Sequence, residues 1–136
     1  MHGAAVRFLL AMLAALIMLA GCSQEGVQAP QELRAFLEEL KANDVDGSLF
    51  LRAPLNEDME YVAEYTIARY ASTRVITLFR FVNAERAEAG LREALKNDKL
   101  SGQARNANFV MAATFYPPDD AAVEQIRALF LAHSFD

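Results

Sequence analysis

The sequence predicts an α/β domain: a small sheet of three strands, or four, with flanking helices. Three observations carry this. Two runs, Arg74 to Val82 and Phe109 to Tyr116, are almost continuously apolar and rich in β-branched and aromatic residues, as strands covered on both faces are. Three further stretches, Gln31 to Ala42, Ala84 to Lys96 and Asp119 to His133, place apolar residues at helical spacing. Turn residues separate these segments, and the order mixes helices with strands.

The chain is 136 residues long and opens with Met1-His2-Gly3-Ala4-Ala5-Val6-Arg7, one fixed positive charge followed by an apolar run from Phe8 to Ala20. That run is shorter than the roughly 20 residues a spanning helix needs, and it ends in small residues, the layout of a secretory signal peptide. The run closes on Leu19-Ala20-Gly21-Cys22, which holds the only cysteine. This motif resembles the lipobox of bacterial lipoproteins. The resemblance covers residues 1–22 and implies cleavage between Gly21 and Cys22 and acylation of Cys22. Two or three acyl chains hold a protein on a membrane without spanning it. Ser23 resembles the residue that permits export to the outer membrane in enteric bacteria, which implies its periplasmic face. The division expected is a signal peptide over 1–21, a lipidated cysteine and tether over 22–30, and one globular domain over 31–136. The tether, Ser23 to Ala29, reaches about 25 Å when extended.

Without residues 1–21 the chain loses Arg7, leaving 12 cations against 18 acids, a net charge of −6. Such a domain lacks the clustered Lys and Arg that phosphate binding needs, so no nucleic-acid partner is expected.

Pro30 suits the first turn of a helix in which Leu33, Phe36, Leu37 and Leu40 form one stripe. Asn43 to Gly47 ends it as a turn. A calcium loop built on Asp44, Asp46 and Gly47 would put Ala42 and Ala53 at ligand positions, and neither can coordinate. Ser48 to Arg52 is a short strand closed by Pro54. For Glu57 to Tyr70, Asn56 as cap and the acids after it favour a helix. Tyr61, Ala63, Tyr65 and Ile67 alternate, which leaves a strand open as the alternative, giving an α+β fold with a hairpin at 60–82. As a helix, this stretch presents Tyr61, Tyr65 and Arg69 on one outward face, a candidate interaction surface.

Arg74 to Val82 belongs in the middle of the sheet, interrupted by Arg80, whose stem packs while its guanidinium escapes or binds an anionic ligand. Asn83 caps the next helix, and Gly90 within it suggests close packing against the sheet. Lys96 to Asn108 reads as a long polar loop and a candidate contact surface. Asp119 and Asp120 suit the first turn of the last helix, and His133, the only histidine outside the signal, suits its negative end.

The residue inventory bounds the chemistry. With Cys22 acylated and one histidine, no Cys-His site or Cys/His zinc site can assemble. No serine lies in a nucleophile elbow, and no phosphate loop or dinucleotide fingerprint is present. No cofactor and no metal are expected. Carboxylate-only catalysis stays open. The reading favoured is a lipid-anchored, non-catalytic interaction module of the cell envelope with an envelope protein as partner. The alternative is an anchored small-ligand binder or enzyme that uses Arg80 and strand-end carboxylates.

Overall fold

The computed structural model describes residues 29–67 and 71–135. The signal peptide, Gly21, Cys22, the tether before Ala29, and Arg69 lie outside the described residues. The elements in order are α1 (Gln31–Ala42), β1 (Gly47–Arg52), β2 (Met59–Ile67), β3 (Thr73–Phe81), α2 (Ala84–Leu95), β4 (Ser101–Asn106), β5 (Phe109–Tyr116) and α3 (Asp120–Ala132). The fold is mixed α/β, with a five-stranded sheet in the order β1-β2-β3-β5-β4 and antiparallel neighbours throughout. Five strands replace the three or four expected.

Both added strands have a physical reason. Met59–Ile67 is β2, not a helix, because it pairs on both sides, with β1 and with β3, and buries its alternating Ala63, Tyr65 and Ile67 in the main core. The hairpin alternative is therefore the arrangement found. Asn56 closes the turn before β2 rather than capping a helix: its Oδ1 accepts from the Asp58 N–H at 2.9 Å. Within Lys96 to Asn108, Ser101–Asn106 is β4, an edge strand whose only buried residue is Ala104. Its polarity reflects that edge position, and a turn at Ala107 and Asn108 joins it to β5.

Local chemistry sets the helix ends. α1 ends with Asp44 at φ 63°, where Val45 N–H donates to Leu40 O at 2.8 Å and Asp44 N–H to Lys41 O at 3.1 Å. This paired closure leaves Val45 and Leu40 buried together. Asn83 and Asp119 each accept a backbone N–H from the first turn of α2 and α3.

One face of the sheet carries the main core. Leu33, Phe36, Leu37 and Leu40 of α1 and Val123, Ile126 and Phe130 of α3 meet Ala63, Tyr65, Ile76, Leu78, Phe109 and Met111 in the main core. Among the described residues the other face is covered at one end only, where α2 sets Ala87 and Leu91 on Phe79, Phe81 and Val110. β5 is thus buried on both faces from Phe109 to Ala113, while Thr114 and Tyr116 face solvent. In β3, double cover is complete only at its Phe81 end. The uncovered part carries Phe50, 54% exposed, and Tyr116, 75% exposed.

Candidate functional site

Two polar or open features sit at the end of the sheet where α1 begins. The first gathers Glu32, Tyr61 and Arg80. Arg80 follows Ile76 and Leu78 on the core face of β3, with 16% of its side chain exposed, and its Nε lies 3.0 Å from Glu32 Oε1. Its Nη1 donates to the Phe81 carbonyl, and its guanidinium lies over the Phe109 ring, 5.4 Å from the centroid. Tyr61 donates its phenol proton to the same Glu32 carboxylate. Burial, and then that bond to a carboxylate, raise the Tyr61 phenol above its ordinary pKa. Glu32 thus holds both Tyr61 and Arg80, and a depression of about 210 Å³ lined by Glu32, Arg80, Asn108 and Phe109 opens beside them.

Of the expected Tyr61, Tyr65 and Arg69 face, the two tyrosines do not lie outward, and Arg69 is outside the described residues. Tyr61 and Tyr65 both point from β2 into the main core, Tyr65 is 1% exposed, and its hydroxyl donates to Val45 O at 2.9 Å. Strand alternation turns these two tyrosines inward, where a helix would have turned them out. His133 follows the last turn of α3, and its Nδ1 lies 2.9 Å from Glu39 Oε2 on α1. It ties two helices together beside the Phe36 and Phe135 rings.

The second feature is a groove along one flank of α2, with a volume of about 330 Å³. Met59, Phe79 and Phe81 form its floor, and Ala89, Gly90 and Ala94 form its wall. The wall approaches the floor because Gly90 has no side chain: a Cβ there would lie 2.2 Å from Phe81 Cζ. Ion pairs rim the groove, Arg86 to Asp58 at 3.5 Å and Lys96 to Glu93 at 2.9 Å. An apolar floor within a polar rim is the anatomy of a binding surface, and the volume lies at the low end of small-molecule sites. A wider depression of about 550 Å³ over the first turn of α1 is lined mainly by polar groups, among them Gln31, Glu32, His133 and Ser134. The groove is the better-built site, because apolar side chains, Met59, Phe79 and Phe81 among them, make most of its surface and the polar groups lie around them.

Sequence reasoning missed the groove residues Asp58, Met59, Phe79, Phe81 and Arg86. Phe79 and Phe81 lie on the opposite side of β3 from Arg80, and Gly90 was the one signal that pointed to them. Among the described residues, no group of three or more His, Cys, Asp or Glu is placed to hold a metal ion. No helix among them is long and apolar enough to cross a membrane. No family model, curated protein or solved structure matches the chain.

Proposed function

We propose that this chain is a lipid-anchored module of the bacterial cell envelope, placed on the periplasmic face of the outer membrane, that binds another envelope protein rather than catalysing a reaction. The groove beside α2 is its docking surface. The observation that carries the reading is the asymmetry of the sheet: α1 and α3 pack on one face, while on the other α2 covers one end and leaves beside it a groove floored by half-buried Met59 and Phe79 and by the buried Phe81 ring, inside a polar rim. The occupant that fits is a short apolar segment of the partner. Its apolar side chains would be desolvated on the aromatic floor, and polar groups around it would meet the rim. The lipobox-like Leu19-Ala20-Gly21-Cys22 supports the location, and acyl chains on Cys22 supply the membrane attachment.

Crosslinking in intact cells followed by mass spectrometry tests the reading. The full chain should label with fatty acid at Cys22 and yield a specific envelope partner. Ala89→Glu, which puts a charge on the groove wall, should abolish that crosslink. A crosslink indifferent to Ala89→Glu, or no specific partner at all, would overturn the reading. The second reading, a carrier of a small apolar molecule, is favoured by the groove volume alone. Native mass spectrometry showing a bound small molecule that Ala89→Glu expels would put that reading in its place.

A further inference from the structure

The open sheet has two edges, and they are built differently. β4 is bulged between Ser101 and Ala104, holds Gly102 at φ 62°, and packs against both α2 and α3. Bulges and covering helices are devices that keep a sheet edge from recruiting another strand. β1 has neither. It pairs with β2 in unbroken register from Gly47↔Ile67 to Arg52↔Val62, and β2 is the one element it packs on extensively among the described residues. Its sequence, Gly-Ser-Leu-Phe-Leu-Arg, contains no proline and no lysine. Phe50 projects from it to the uncovered sheet face.

We infer that β1 is a self-pairing edge, and that two copies of this chain join through antiparallel β1 strands into one continuous sheet. One register is self-complementary in charge as well as in shape. With Leu49 opposite Leu49 across a two-fold axis, Ser48 lies opposite Phe50, and Asp46 of each copy lies opposite Arg52 of the other. Opposite charges directly across an antiparallel pair are favourable, and a two-fold arrangement makes the contact twice. Centring the pair on Phe50 instead sets Asp46 opposite Pro54, which has neither a charge nor an N–H to offer. Arg52 can serve both neighbours. Its Nε bonds Glu64 at 2.7 Å, and the planar guanidinium keeps further donors for the second copy. The α2 groove takes no lining residue from β1, so this inference does not rest on the proposed partner.

Disulfide trapping in intact cells expressing the full chain tests it. Opposed strand residues have Cα separations within disulfide range, and Cys22 is the only native cysteine, so the parent chain is the control. Leu49→Cys should give a species of twice the chain mass under mild oxidation. The exposed pair Ser48→Cys with Phe50→Cys should do the same, which guards against a folding defect from the half-buried Leu49. Arg52→Asp in either background should lower the linked fraction at least several-fold, and adding Asp46→Arg should restore it. Three results would overturn the inference: no self-linked species from either thiol variant while the protein remains folded, a linked fraction unchanged by the charge reversal, or thiols that link to a different protein.

Discussion

Replacing Gly90 by alanine sets two effects of known size against each other. In an exposed helix interior the change stabilises by about 1 kcal/mol, because glycine has more backbone freedom to lose. Here the new methyl would sit 2.2, 2.7 and 2.9 Å from three atoms of the Phe81 ring, which is 4% exposed and packed against α2. Ordinary contact requires the ring to retreat by roughly 1 Å, and overpacking of this kind costs about 1–3 kcal/mol. The net expectation is destabilisation by up to about 2 kcal/mol, read as a lower urea midpoint at constant slope. The diagnostic is a sign reversal. Phe81→Leu removes the crowded ring atoms, so on that background Gly90→Ala should stabilise by about 1 kcal/mol, the propensity gain alone. Equal stabilisation on both backgrounds would refute the reasoning, since it would mean that the ring does not confine position 90.

Two further outcomes follow from polar groups in the core. The Tyr61 and Tyr65 phenols are both raised in pKa, by burial first in each case. A folded-state pKa above the unfolded value gives stability that is complete below about pH 10 and lost as pH rises beyond it. Urea midpoints should therefore fall between pH 9 and pH 11, with a smaller fall in Tyr61→Phe, and equal midpoints in the parent would contradict the assignment. Asn106 on β4 donates through Nδ2 to Phe130 O at 2.8 Å and to His133 O at 2.6 Å, closing the end of α3. Asn106→Ala should cost about 1–3 kcal/mol, measured by the same unfolding assay, because the His133 carbonyl loses its Asn106 donor and Phe130 O keeps only the 3.3 Å bond from the His133 N–H.

The elements legible in the sequence are those whose signals are local. The α1 stripe, the Asn83 and Asp119 caps and the apolar runs of β3 and β5 each need only neighbouring residues to be recognised. β2 and β4 were not legible for opposite reasons. β2 follows a strong helix-start pattern at Asn56 to Asp58, and only pairing with β1 and β3 overrides it. β4 lacks an apolar run because one of its edges is free and only Ala104 faces the core, so composition alone makes it a loop. Misreading β2 also reversed the tyrosines, since a change of period from 3.6 to 2 moves Tyr61 and Tyr65 from an outer face to an inner one. The candidate site was hidden by distance along the chain. Glu32 meets Arg80 across 48 positions, and the groove joins three segments that each read as core or surface by themselves.

The position of the groove bears on how an anchored domain would use it. α1 begins at the end of the sheet where Glu32 reaches Tyr61 and Arg80, and Met59 and Phe81 of the groove floor pair in register at that same end. The tether's entry and the groove therefore share one end of the sheet while lying on opposite faces of it. With Cys22 fixed to a bilayer as proposed, a tether of about 25 Å at full extension would hold both close to it. The chain is acidic, with a net charge of −5, and anionic headgroups repel it, which opposes laying the groove flat on lipid. The surface a neighbour meets first is then one facing along the membrane, and a partner seated in the same membrane reaches the groove without the domain leaving its anchor. Lengthening the tether should weaken such a contact by lowering its effective concentration, whereas a partner arriving from solution would be indifferent to tether length.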